Sequence, residues 1–387
     1  MASPTRERLV TARFVVVVAS GLFYFLALAM TTPVLPHYVE DRLGGGGVAV
    51  GVAVGAFAFG AVALRAHAGR IGDRAGRRVL IVAGALVVAA GTACYGIVAE
   101  LWWLVAMRVV TGIGEAAFFV GAATMITDLA PVERRGEAGS YWSVAVYGGL
   151  SFGPALGEYV RGDDRYTAVW IVSAALAGVA TALGAATSDA GRPAVPASPS
   201  RLIHPAAVRP GVVLLLGLIP LAGFSAFMPL YVERFDVDAG PIFLLYGVLI
   251  LAVRTLGARL PDRLGGRAAA TGALALSAAG IGVVAAWSSV AGLVVGTMVL
   301  AAGMSLMYPA LLLLALDGVA ETERASVVGT FSSFFDLSQG VGAPISGGVA
   351  ELTSTRGAFV TGTVAAAFGL VVLRARGPWR VARATRQ

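Results

Sequence analysis

Gly69-Arg70-Ile71-Gly72-Asp73-Arg74-Ala75-Gly76-Arg77-Arg78 sets four arginines around one carboxylate, between two long apolar runs. Gly69, Gly72 and Gly76 permit a sharp turn and close backbone packing. A loop this cationic between hydrophobic spans reads as cytoplasmic, because arginine is retained on the inner side of membranes. The pattern then recurs. Arg65, Arg70, Asp73, Arg74, Gly76 and Arg78 are matched by Arg254, Arg259, Asp262, Arg263, Gly265 and Arg267, each 189 residues later. A loop repeated at one offset makes the chain two copies of one unit.

Composition agrees. Hydrophobic residues make up 57% of the 387 residues and charged ones 13%, the balance of a multi-span membrane protein and not of a soluble enzyme. All 29 basic residues are arginine. The net charge of +7 is what nucleic-acid or anionic-lipid contact would give. The plainer source is the positive-inside bias, and no nucleic-acid partner is expected. Cys94 is the sole cysteine, so no intrachain disulfide forms, and its apolar surroundings suit a small packing residue. His37, His67 and His204 are scattered, which excludes a metal site built on them. No nucleophile stands with a base, so no catalytic residue is assigned and enzyme activity is not expected.

A membrane helix needs about 20 mostly apolar residues. Twelve such runs are present, near 11–33, 46–68, 79–99, 101–126, 136–160, 166–187, 210–232, 239–260, 268–287, 290–316, 325–350 and 357–375. They are too long, and alternate too little, for barrel strands. The first lacks a small-residue cleavage site and reads as a span instead of a removable signal. With both termini inside, the inner loops and tails hold 21 arginines and the outer loops only Arg42, Arg161, Arg165, Arg234 and Arg356. Arg65, Arg108 and Arg254 remain in the spans. Five prolines between Ser188 and Pro210 mark a polar linker. The expected division is 1–187, a cytoplasmic linker at 188–209, and 210–387. The repeat extends further. Asp128 and Arg135 are matched by Asp317 and Arg324 at the same offset, and Pro36-x-Tyr38-Val39-Glu40 by Pro229-x-Tyr231-Val232-Glu233 at 193.

The residues Gly69, Asp73, Arg74, Gly76, Arg77 and Arg78, between the second and third spans, resemble motif A of the major facilitator superfamily. The second copy, with Asp262 and Arg263, has Ala258 in place of a glycine. The resemblance implies an all-α membrane protein of twelve transmembrane helices in two pseudo-symmetric six-helix halves. It also implies that Asp73 gates, by meeting the start of the eleventh span near Ser326. In the fifth span, Gly149-x-x-x-Gly153-Pro154-x-x-Gly157 is similar to the antiporter motif C of drug:proton exporters. The plainer account is a packed, kinked helix, since glycines four apart share a face and proline removes a hydrogen bond. Arg108-x-x-x-Gly112 resembles motif B, whose arginine is linked to proton transfer.

Arg108 and Glu115 are two helical turns apart and so face one side of the fourth span. Asp336 lies mid-way along the eleventh span, and its repeat partner is Tyr147. Buried acids in lipid are costly and either pair, line a cavity or carry protons. Glu115 and Asp336 are the candidate proton carriers, with Arg108 assisting. Arg65 and Arg254 are expected to snorkel to the interface, binding of an anion or a gating carboxylate being the lesser reading. Tyr24, Phe118, Tyr147, Phe224, Tyr246, Tyr308 and Phe335 are candidate cavity residues, though aromatics in such spans more often pack. The family resemblance implies proton-coupled export of drug-like or natural-product small molecules by alternating access. The only energy source is the proton gradient, with no cofactor and no metal. The setting is the lipid bilayer of a bacterial inner membrane, as a monomer with both termini cytoplasmic. The alternative is an uptake symporter or facilitator for a small metabolite.

Overall fold

The computed structural model describes residues 9–131, 134–189, 203–257, 263–320 and 323–375; the side chains of Ala66, Gly69, Arg70, Asp73 and Ala325 also lie outside the description. Every regular element among the described residues is a helix. Helix α1 spans Ala12–Met30 and, after a break at Thr31 to Pro33, continues as a short helix over Val34–Asp41. Then come α2 (Gly47–Ala75), α3 (Arg77–Cys94), α4 (Leu101–Leu129), α5 (Arg135–Arg161) and α6 (Tyr166–Ala186). The second set is α7 (Pro205–Val232), α8 (Ala239–Leu256), α9 (Gly266–Ala286), α10 (Val290–Leu316), α11 (Arg324–Leu352) and α12 (Thr355–Arg374).

Ten of these helices are long and apolar enough to cross a membrane. The other two, α5 and α11, are equally long, but glycine, serine, proline and charged residues dilute their apolar character. They are repeat partners, and they are two of the four helices that join the halves.

Packing follows the repeat. In the first half α1 lies on α5 and α6, α2 on α4, and α3 on α4 and α6. Each of those pairings recurs six helices later: α7 with α11 and α12, α8 with α10, α9 with α10 and α12. Backbone details repeat as well. Gly76 and Gly265 both break the chain between paired helices, at φ of 100° and 79°, a conformation open to glycine and strained for other residues. Tyr38 donates its hydroxyl to the Tyr95 and Val98 carbonyls at 3.1 and 2.9 Å. Its partner Tyr231 donates to the Val284 carbonyl at 3.4 Å.

The expected linker is shorter than its prolines suggest. Helix α7 starts at Pro205, not near 210, because the His204 side chain accepts from the Ala206 N–H and Pro205 sits in the first turn, where its missing N–H costs nothing. Residues 190–202 of that linker lie outside the described residues.

Two extensive pairings among the described residues join the halves, α2 with α11 and α5 with α8, with a smaller contact of the Val34–Asp41 helix on α7. The first is a glycine seam. A Cβ at Gly47 would meet the Gly347 carbonyl at 2.7 Å, one at Gly55 the Gly340 carbonyl at 2.9 Å, and one at Gly51 would collide with the Ala343 carbonyl. Small residues four apart let backbones touch in lipid, where van der Waals contact drives association. The seam starts at the face opposite the termini. There Glu351 accepts from the Val48 N–H at 2.8 Å, and His37 Nδ1 stands 3.1 Å from Glu233 Oε1.

Candidate functional site

The site begins with a close approach of α2 to α4. A Cβ at Gly60 would run into the Val109 carbonyl, and one at Gly112 into the Phe57 carbonyl. With the backbones touching, α4 lays its polar residues along α2. Arg108 donates from Nε to the Ala53 carbonyl at 3.1 Å and from Nη2 to that of Val54 at 3.3 Å. Its guanidinium stands 4.8 Å from the centre of the Phe57 ring. Two turns along, Glu115 accepts from Arg65 Nη2 at 2.8 Å.

Arg65 also reaches across to the other half. Its Nε lies 2.9 Å from Asp336 Oδ2 on α11. The contact pairs the charges, but neither atom is aligned for a directed hydrogen bond. The three side chains are 13%, 9% and 10% exposed for Arg65, Glu115 and Asp336. One guanidinium is therefore shared by two nearly enclosed carboxylates, one from each half. Phe119 adds a cation–π contact, with its ring centre 5.1 Å from the Arg65 guanidinium.

The snorkelling expected of Arg65 is corrected here. Its side chain turns inward because two carboxylates are within reach, and charges buried at this depth are stabilised by pairing. Arg108 and Glu115 do share the face towards α2, yet they bond to different groups there. Arg108 satisfies backbone carbonyls, so the ionic partner of Glu115 is the arginine of the neighbouring helix. Replacement of Gly112 by leucine should push α2 off α4 and open the Arg65–Glu115 bond. The expected cost is about 1–3 kcal/mol from overpacking, read as a lower melting point, together with loss of transport.

The aromatic candidates divide. Tyr24 and Phe118 are fully buried and stacked, with ring centres 3.7 Å apart and 9° between planes. Phe224 is also fully buried, 5.4 Å from Phe243 and 5.2 Å from Tyr246. These three are corrected from cavity lining to packing, because neighbouring rings already cover them. Tyr147, Tyr246 and Tyr308 are half-buried and Phe335 is exposed. Tyr308 exchanges a hydrogen bond with Ser332 at 2.8 Å and lies within range of the charges on Arg65 and Asp336. Tyr147 faces Arg254, whose guanidinium sits 3.9 Å from the ring centre.

The motif A residues stitch the first half together. Arg77 Nε stands 3.5 Å from Asp128 at the end of α4. Arg78 donates to the Ala185 carbonyl at 2.6 Å, and its backbone N–H to Asp189 at 2.9 Å, satisfying a carbonyl at the end of α6. Arg74 and Arg263 are exposed. Asp262 and the side chain of Asp73 lie outside the described residues, and the latch expected of Asp73 lies there with them. The glycines of motif C pack α5 on α1. A Cβ at Gly149 would meet Phe25 and Leu26, one at Gly153 Ala29, and one at Gly157 the Met30 carbonyl. Pro154 lies inside α5.

Known proteins agree with this architecture. The model of the Major Facilitator Superfamily matches residues 17–280 and again 239–385. The chain belongs to that superfamily. A relative described as an uncharacterized MFS-type transporter of Salmonella typhimurium strain LT2 is 29% identical over 367 residues, covering 92% of this chain and 94% of its own. The crystal structure of the nucleoside transporter NupG superposes with a TM-score of 0.76 at 14% identity, over 93% of this chain and 98% of its own. A bacterial homologue of the human lysosomal transporter Spinster, in an inward-facing and unoccupied conformation, gives 0.74 at 16% identity, over 97% and 98%. This facilitator-family chain is a multi-pass membrane transporter. Its relatives are transporters and not enzymes, and such proteins bind small-molecule substrates within the membrane.

Proposed function

We propose that the chain is a proton-coupled exporter of drug-like or natural-product molecules. The observation that carries the reading is Arg65 shared between Glu115 of its own half and Asp336 of the other. With both acids ionised, the cluster carries one net negative charge and holds α11 to α2. A proton taken by Asp336 neutralises the cluster and removes the ionic tie between the halves. Rocking of the halves can then follow, as alternating access requires. Deprotonation on the other side restores the tie. Protonation and movement are thereby linked through one contact, with the proton gradient as the only energy source.

The likeness of Gly149 to Gly157 to the antiporter motif supports the export direction. The arginine bias supports cytoplasmic termini and a bacterial inner membrane, and nothing in the proposal requires a second copy of the chain.

The test uses proteoliposomes holding a pH dye, with an imposed proton gradient. Lipophilic cations, neutral antibiotics, sugars and organic acids are added to the native protein, Glu115→Gln and Asp336→Asn. Substrate-dependent proton movement is expected in the native protein and is lost in Asp336→Asn. Substrate flux without proton movement, unchanged in both variants, would overturn antiport in favour of a facilitator.

A further inference from the structure

Arg65 and Arg254 stand at equivalent places in the two halves, 189 residues apart. Each lies on a helix that joins the halves, α2 against α11 and α8 against α5. Their surroundings differ in charge. At the positions equivalent to Glu115 and Asp336, again 189 residues away, stand Met304 and Tyr147. The first arginine thus has two carboxylates, and the second has a thioether and a phenol at the matching places.

Arg254 lies over the Tyr147 ring at 3.9 Å. Its Nε is enclosed and makes no hydrogen bond among the described residues, and no carboxylate of those residues pairs with it. Arg254 stands in the last turn of α8, and a partly enclosed guanidinium is costly without a counter-ion. The side chains near it are aromatic. Tyr246 lies within range of the Arg254 charge and 5.2 Å from Phe224. Tyr308 lies within range of both Tyr147 and Arg65. Two turns before Arg254 on α8, Gly247 packs against Ser151 of α5, so the two helices touch on the same face of α8 as the arginine.

We propose that Arg254 binds a carboxylate of the transported molecule, and that the substrates are organic monoanions with an apolar or aromatic body. The proposal rests on the transporter reading and names its substrate class. A guanidinium presents a planar fork of donors that fits a carboxylate two-fold. One guanidinium offsets one charge, which favours a carboxylate over a phosphate dianion. The bound anion supplies to Arg254 the negative charge that Asp336 supplies to Arg65. Arg254 comes from one half and Tyr147 from the other, so occupancy ties the halves on the α5–α8 side as the acid ties them on the α2–α11 side.

The test is equilibrium binding to the purified full-length protein in detergent. Benzoate, 2-naphthoate, indole-3-acetate and decanoate are each compared with their primary amides, by shift of the melting point and by quenching of tryptophan fluorescence. Acids are expected to bind and amides to bind far more weakly. Arg254→Gln should weaken the acids by about 10- to 100-fold, the worth of a charge-assisted hydrogen bond, and leave the amides unchanged. A second variant combines Tyr147→Asp with Met304→Glu. It rebuilds the Arg65 surroundings around Arg254 and should abolish acid binding while keeping the arginine. Amides that bind as tightly as their acids, a panel in which no acid binds, or acid binding that survives either variant overturns the proposal. The assay needs no proton movement. A protein that binds acids but moves no protons in the pH-dye experiment loses the antiport reading and keeps this one, and the converse result separates them equally.

Discussion

Replacing Arg65 by methionine is expected to end substrate-dependent proton movement and to destabilise the protein by about 3–5 kcal/mol, the cost of removing one partner from a buried ionic group. The change leaves Glu115 and Asp336 without their shared cation, at 9% and 10% exposure. It also removes the guanidinium from Phe119, 5.1 Å away. Thermal unfolding in detergent measures the first effect and the pH-dye assay the second. The triple change Arg65→Met, Glu115→Gln and Asp336→Asn separates stability from coupling. With no charge left unpaired, most of the lost stability should return, while proton movement should not. A single Arg65→Met variant as stable as the native protein would mean that the two acids do not depend on the arginine, and the proton-linked tie would have to be abandoned.

Gly51→Leu is expected to reduce transport by more than tenfold (roughly 1.4 kcal/mol or more, of the order of an overpacking penalty), without unfolding either half. A side chain at this position would collide with the Ala343 carbonyl and Pro344 of α11. The closure of α2 on α11 would therefore be penalised, and the population would shift to the arrangement that is open at that face. Cys94 is the only native cysteine, so its replacement by serine and a single cysteine at Val48 provide a clean label site. Faster labelling of that cysteine in the Gly51→Leu background is the expected readout. Unchanged labelling together with unchanged transport would show that the glycine seam does not have to close during the cycle.

Much of this architecture is legible in the sequence because it rests on local or periodic signals. The tenth span, read at 290–316, matches Val290–Leu316 at both ends, since a long apolar run bounded by polar residues leaves little freedom. The fixed offset that linked Arg65 to Arg254 reappears as paired backbone turns at Gly76 and Gly265. The start of α7 was obscured by Pro205 and Pro210, which read as linker; proline is tolerated in the first turn, and sequence spacing does not say which proline opens the helix. The partners of Arg65 were harder. Glu115 and Asp336 come from other helices, one of them in the other half, and no spacing rule carries a residue across two packed interfaces. A signal did exist for the seam: Gly47, Gly51 and Gly55 are four apart, the small-residue ladder of membrane helices. Packing and lining aromatics cannot be told apart where most spans are apolar on every side, which is why Tyr24, Phe118 and Phe224 read like Tyr147 and Tyr308.

The weak apolar character of α5 and α11 bears on how the protein is made. A segment enters the bilayer alone when its residues are apolar enough to leave the insertion channel sideways. Helix α5 offers glycines, serines and Pro154, and α11 carries Asp336 and Pro344. Neither is well suited to partition by itself. Each is followed within a few residues by a strongly apolar helix, α6 at Tyr166 and α12 at Thr355. Each also has a docking face waiting, since α1 and α7 are synthesised earlier in their own halves. The order of synthesis thus supplies the surface that each polar helix needs, and a chain cut just after Arg161 or Leu352 would leave that helix with this surface as its means of insertion.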